Sequence, residues 1–194
     1  MSGQRQIRNL ALIGFMGTGK SSTGRWIALQ MHYDFVDTDD LIEKRAGKPI
    51  TKIFAEDGEP AFRELERQIV GELATRNRTV IATGGGLGAD EENLASLKRH
   101  ALVVCLWATP EGVWRRVNSQ AHRPLLNDPD PMGRIRTLLA QRTPVYRQAD
   151  VLVNTEFRSV REVAQHVMHE FQVARQRTVP REKPNPATHP RTGF

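Results

Sequence analysis

Residues Gly14 to Ser21 read Gly-Phe-Met-Gly-Thr-Gly-Lys-Ser and follow directly on the apolar run Leu10-Ala11-Leu12-Ile13. This is a complete G-x-x-x-x-G-K-[ST] loop, and it ties the fold to a strand–loop–helix unit. A strand ending in such a loop aims successive backbone N–H groups at one point, and that nest continues into the positive end of the next helix. The anion that fits is the β-phosphate of a nucleotide. Lys20 can reach the β- and γ-phosphates, and the Ser21 hydroxyl can ligate Mg2+. A plain glycine turn between strand and helix would not need Lys20 and Ser21.

Further short apolar runs at Asp34–Val36, Val80–Ala82, Leu102–Trp107 and Val151–Val153 are separated by stretches long enough for helices. That rhythm predicts an α/β fold with a parallel sheet, and continuous rather than alternating apolar residues predict helices on both faces. The spacing of Val160, Val163, Ala164, Val167, Met168 and Phe171, opened by an S-x-x-E capping box at Ser159 and Glu162, predicts a last helix to about Ala174. Phe62, Leu65, Ile69, Val70 and Leu73 mark another from about Glu59 to Thr75.

At 194 residues the chain fits one domain. No stretch approaches the roughly 20 apolar residues of a membrane span, and the first strand begins by about Asn9, so the expected location is the cytoplasm. Cys105, the only cysteine, sits in an apolar run and reads as a buried thiol rather than a nucleophile. The net charge of +6 raises the question of nucleic acid, but Arg175, Arg177, Arg181, Lys183 and Arg191 against Glu182 place most of the excess at the end of the chain. With four prolines and no apolar period, residues 177–194 read as a disordered, solvated tail beyond a domain spanning 1–176. Residues 118–133 are rich in turn formers and read as a mobile lid, with bounds of about 115–133.

Three more segments carry chemistry. Asp37 and Asp39 stand at the carboxyl end of a strand, where ligands bind in open α/β sheets. On an extended segment both project to one side, so that one can face Mg2+ and the other a hydroxyl of the phosphoryl acceptor. Asp40 instead reads as an acidic helix start, with Asp39 or Asp40 as cap. Thr83 precedes Gly84, Gly85 and Gly86, whose bare backbone permits close approach of a ligand. Arg63 has Glu66 three residues on to fix its guanidinium, and a fixed guanidinium is a fork for a carboxylate. Arg123 lies in the lid segment, where closure would carry it onto the transferring phosphoryl group as an arginine finger in cis, and Arg142 stands near the end of a helix; read singly, each of the three arginines is a solvated surface residue, and their case rests on the resemblance that follows.

Taken together, Gly-Phe-Met-Gly-Thr-Gly-Lys-Ser-Ser-Thr-Gly, Phe-Val-Asp-Thr-Asp, Gly-Glu-Pro-Ala-Phe-Arg-Glu-Leu-Glu, Ala-Thr-Gly-Gly-Gly, Arg-Pro-Leu-Leu and Arg-Thr-Pro-Val-Tyr resemble the shikimate kinase family, in family order over roughly residues 8–172. The resemblance implies a three-layer, nucleoside-monophosphate-kinase-like P-loop fold with strand order 2-3-1-4-5. It also implies Mg2+- and ATP-dependent phosphorylation of the shikimate 3-hydroxyl, in the chorismate route to aromatic amino acids, by a monomer without nucleic-acid or membrane partners. Carried over by position, Gly17, Thr18, Gly19, Lys20, Ser21 and Ser22 cradle the ATP phosphates, Lys20 stabilises the transferred group, and Ser21 and Asp37 serve Mg2+. Asp39 binds the acceptor hydroxyl and takes its proton. Arg63 and Arg142 grip the shikimate carboxylate beside Gly84, Gly85 and Gly86, with Gly85 donating a backbone hydrogen bond. Arg123 meets the phosphates, Arg116 stacks near adenine, and Arg158 contacts the nucleotide from the adenine loop, which matches the family least well.

Gluconate kinase and nucleoside monophosphate kinases share the loop and fold type. A non-catalytic nucleotide-binding module with a nucleic-acid-binding tail is a third alternative. The set Asp39, Arg63 and Arg142 separates the first reading from a module that only senses nucleotide.

Overall fold

The computed structural model describes residues 5–118 and 129–178. Five parallel strands, β1 (Asn9–Ile13), β2 (Asp34–Asp37), β3 (Thr79–Ala82), β4 (Ala101–Trp107) and β5 (Val151–Asn154), form one sheet in the order β2-β3-β1-β4-β5. All five coincide with the apolar runs expected from the sequence, each one residue longer. The register runs Leu12 beside Ala82 and Ile13 beside Cys105, so β1 and β3 end within one residue of each other and β4 runs two residues further.

Alternation along β1 sorts the core into two layers. Ala11 and Ile13 face a cluster built with Ile42, Phe62, Ile69, Leu94, Leu97 and Ile135. These residues come from α2 (Thr38–Ala46), α4 (Gly58–Leu73), α5 (Glu91–His100) and α7 (Pro131–Tyr146). Leu10 and Leu12 face Ile27, Val163, Val167 and Phe171 of α1 (Lys20–Met31) and α8 (Val160–Thr178). Both faces of the sheet are thus covered, which is why its strands read as unbroken apolar runs. Cys105 lies in the first layer at 1% exposure, and burial pushes its thiol up to about 12, so it is the core thiol expected.

Helix boundaries depart from the sequence reading at two places. α8 runs to Thr178 rather than Ala174, so Arg175 and Arg177 belong to a helix. They sit in its last turn, where cations are favoured by the helix dipole. α4 ends at Leu73, because the amides of Thr75 and Arg76 turn back to the carbonyls of Glu72 and Leu73, three residues behind, and close the helix with a tighter turn. The capping box at Ser159 and Glu162 forms as expected: Ser159 N donates to the Glu162 carboxylate at 2.7 Å, and Glu162 N donates to Ser159 Oγ at 3.2 Å.

Both ends of the segment read as a lid are helical: Arg115, Arg116 and Val117 close α6 (Pro110–Val117), and Pro131 opens α7. Arg123 lies outside the described residues, as does the tail beyond Thr178. Among the described residues no helix is long and apolar enough to cross a membrane.

Candidate active site

The carboxyl ends of β1, β2 and β3 open onto a cleft of about 660 Å³. Its floor is the glycine loop. Gly14 has φ of 132°, and a Cβ on it would collide with the Leu106 carbonyl of β4, so only glycine lets the chain leave β1 at this angle. Gly19 enters α1 in the left-handed conformation, φ 89°, and is followed by Lys20, Ser21 and Ser22. Lys20 is 8% exposed and its Nζ donates to the carbonyls of Gly14 and Phe15, both at 2.9 Å. Thr18 Oγ1 donates to the Phe15 carbonyl at 2.8 Å, stitching the loop to itself.

Ser21 Oγ donates to Asp37 Oδ2 at 2.7 Å. Two hard oxygen donors thus meet at the start of α1. They fit Mg2+, which takes one or two protein oxygens and completes its shell with phosphate and water.

Asp37 and Asp39 do not share an extended segment. Asp37 ends β2 and its side chain caps α2 by accepting from Asp39 N at 3.1 Å. Asp39 is therefore in the first helical turn, and neither Asp39 nor Asp40 is the cap. The helix begins at Thr38 because Asp37 supplies the acceptor its first amides lack. Asp37 and Asp39 still line the same cleft, while Asp40 is exposed and faces Arg25 at 3.8 Å. Burial, reinforced by the Asp37 charge and partly offset by Lys20, raises the Asp39 pKa to about 6.

Gly84, Gly85 and Gly86 each lie against a different polar side chain. A Cβ on Gly84 would stand 2.2 Å from Asp39 Oδ1, one on Gly86 would stand 2.5 Å from Arg63 Nη1, and one on Gly85 would touch Arg142 Nη1 at 3.5 Å. None of the three has a positive φ, so it is space rather than backbone conformation that favours glycine at Gly84 and Gly86, where a side chain would displace Asp39 or Arg63. The turn is fixed by its own bonds. Gly84 N donates to Thr38 Oγ1 at 2.8 Å, and the Gly85 carbonyl accepts from Arg142 Nη1 at 3.0 Å and Tyr146 Oη at 2.8 Å.

Both arginines have aromatic backing: Arg63 lies over Phe62 at 5.5 Å and Arg142 over Phe15 at 5.4 Å. The pair of Arg63 with Glu66 forms at 2.6 Å, and Glu66 is buried at 1% exposure. Burial raises the Glu66 pKa, and Arg63 opposes that shift. Ile50, Phe54 and Phe62 supply an apolar wall beside these charges.

Arg116 lines the cleft and is anchored: Nη1 donates to Thr155 Oγ1 at 2.8 Å and to the Gly17 carbonyl at 3.2 Å, and Nη2 donates to the Thr155 carbonyl. It thereby ties the glycine loop to the segment after β5. Arg158 points elsewhere, with Nη1 at 3.4 Å from His166 Nδ1, and does not line the cleft. Thr38, Tyr146 and Thr155 are the supporting residues that sequence reasoning missed. Tyr146 had a signal, since it stands four residues after Arg142 on the same helix face; the other two act across the fold and had none.

A glycine loop at the end of the first of five parallel strands, with a carboxylate and two oriented arginines across the cleft, defines a small-molecule phosphotransferase of the P-loop class. The shikimate kinase family model matches residues 16–172. A shikimate kinase of Thermodesulfovibrio yellowstonii is 40% identical over 166 residues, which is 86% of this chain and 96% of that one. The structure of a shikimate kinase from Acinetobacter baumannii in complex with shikimate superposes with a TM-score of 0.81 at 34% identity, covering 88% of this chain and 96% of that one. A gluconokinase from Sinorhizobium meliloti gives a TM-score of 0.60 at 18% identity, covering 90% of this chain and 97% of that one, and shares the fold alone. The chain belongs to the shikimate kinase family. Its reaction is the family's ATP-dependent phosphorylation of shikimate, in the chorismate route to aromatic amino acids.

Proposed function

We propose that the cleft transfers the γ-phosphoryl group of ATP to the 3-hydroxyl of shikimate, with Asp39 facing that hydroxyl and Arg63 and Arg142 gripping the carboxylate. The observation that carries the reading is the convergence of these three side chains on one glycine turn, each against its own glycine. A small anion bearing adjacent hydroxyls needs a carboxylate for the hydroxyls and forked cations for its charge. Asp39 with a pKa of about 6 is ionised at neutral pH yet basic enough to take a proton.

In the transfer the hydroxyl oxygen bonds to the γ-phosphorus while the bond from that phosphorus to its bridging oxygen breaks. The hydroxyl proton passes to Asp39, and the charge left on ADP is met by Lys20 and the N–H groups of the loop from Gly17 to Ser22. Ser21 and Asp37 would hold Mg2+, which when bound neutralises phosphate charge. Lys20 rests on two loop carbonyls and can turn from them to a phosphate. Arg116 flanks the nucleotide, near adenine. Arg123 meets the phosphates and Arg158 borders the adenine loop in this reading by family position alone. The family resemblance favours action as a monomer, and the use of ATP supports a cytoplasmic location.

The test is the position of the new phosphate in the product by phosphorus–proton NMR. Coupling to the proton on C3 is expected, and phosphate on another carbon would contradict the placement of Asp39.

A further inference from the structure

Two carboxylates hold Arg63, and they differ in kind. Glu66 is buried and accepts from Nη1 at 2.6 Å. Glu59, in the first turn of α4, has a side chain 62% exposed, and its single oxygen Oε1 accepts from both Nε at 3.2 Å and Nη2 at 2.8 Å. Glu59 therefore covers the Nε–Nη2 edge, one of the two edges on which a guanidinium binds a carboxylate through two parallel bonds. The other edge contains Nη1, which Glu66 holds.

A substrate carboxylate arriving at Arg63 would be the third on one guanidinium. One resident must yield. Separating Glu66 from Arg63 would leave a buried carboxylate without its cation, which is strongly unfavourable. Releasing Glu59 returns an exposed carboxylate to water, and exposed ion pairs are weak.

Resting on the reading that Arg63 grips the substrate carboxylate, we propose that Glu59 is an internal competitor for that grip: it occupies the side-on edge of Arg63 in the free enzyme and is displaced by shikimate, so that it sets the shikimate KM. The device keeps Arg63 extended over Gly86 while no substrate is bound, at the expense of affinity. It acts on carboxylate-bearing acceptors only and leaves the nucleotide end of the cleft untouched.

The experiment compares the full-length wild type with Glu59→Gln and Glu59→Ala in steady-state assays, beside Arg63→Ala. Glu59→Gln removes the competing charge and keeps a hydrogen-bond acceptor; Glu59→Ala removes both. The shikimate KM is expected to fall about two- to fivefold in both Glu59 variants, with kcat and the ATP KM changed by less than about twofold. An acceptor analogue with a hydroxymethyl group in place of the carboxylate should show no such gain. A raised shikimate KM in the Glu59 variants would mean that Glu59 only orients Arg63, and an unchanged one that it is a solvated bystander; either overturns the proposal while the role of Arg63 stands. An Arg63→Ala enzyme with normal shikimate KM would overturn the underlying reading and the proposal with it.

Discussion

Asp39 Oδ1 fills the space that a side chain on Gly84 would need, standing 2.2 Å from the position of its Cβ. The carboxylate and the glycine are thus one fitted unit, drawn from α2 and from the end of β3. Gly84→Ala should push Asp39 off its position and lower kcat on the order of a hundredfold, as misplacements of about 1 Å do, with ATP affinity little changed. Near-normal turnover in Gly84→Ala would show that the position of Asp39 is not critical.

Asp39 also links activity to stability. Its folded pKa of about 6 lies above the ordinary 3.8, so the folded form holds the proton more tightly and the stability this confers is lost as pH rises through about 6. Asp39→Asn should therefore abolish most turnover yet stabilise the ligand-free protein by about 1 to 3 kcal/mol at pH 7, raising Tm by several degrees. In the wild type, kcat/KM for shikimate should fall on the acid side with a midpoint near 6. A lowered Tm for Asp39→Asn at pH 7 would contradict the raised pKa.

Arg142 fixes the Gly85 carbonyl at 3.0 Å, and in the proposed reading it also grips the substrate carboxylate. Arg142→Lys keeps the charge but cannot reproduce the fork, so the shikimate KM should rise tenfold or more, roughly the worth of one charged hydrogen bond, with the ATP KM within about twofold. Equal losses for both substrates would remove Arg142 from the acceptor side.

At the amino ends of the central strands, away from the cleft, His100 is 2% exposed, and its Nδ1 lies 3.1 Å from Asn9 Nδ2. Thr79 N donates to Asn9 Oδ1, which fixes the amide and makes Nδ1 the acceptor, leaving the proton on Nε2. Burial, with Arg8, Arg99 and Arg5 nearby, lowers the His100 pKa to about 4. The neutral ring supports the fold fully above about 6.5, and that contribution is lost as pH falls toward 4, by up to about 3 kcal/mol. Urea midpoints between pH 7 and 4 should fall more steeply for the wild type than for His100→Gln, and parallel curves would contradict the assignment.

Most of the fold was legible because the chain's strands are buried on both faces and so appear as unbroken apolar runs, and because the glycine loop names the first of them. The misplaced details have local causes. The sequence alone predicts an extended Asp39, because nothing in Phe-Val-Asp-Thr-Asp announces that Asp37 turns back to cap the amide two residues on. The apolar stripe of the last helix stops near Ala174, while the helix itself continues with Arg175 packing over Phe171 at 5.8 Å and donating to Tyr33 Oη at 2.9 Å. Thr38 and Thr155 hold the site through bonds to Gly84 and Arg116, elements distant in sequence, and no spacing rule reports such a contact.

The most direct measurement is Mg2+-dependent ADP release from ATP by the purified protein with shikimate, gluconate, AMP, CMP or no acceptor. Release stimulated by shikimate alone, and lost in Asp39→Asn, is the predicted result. Stimulation by gluconate or a nucleotide and none by shikimate, with ATP binding intact, would contradict the assignment of Asp39, Arg63 and Arg142 to a shikimate site.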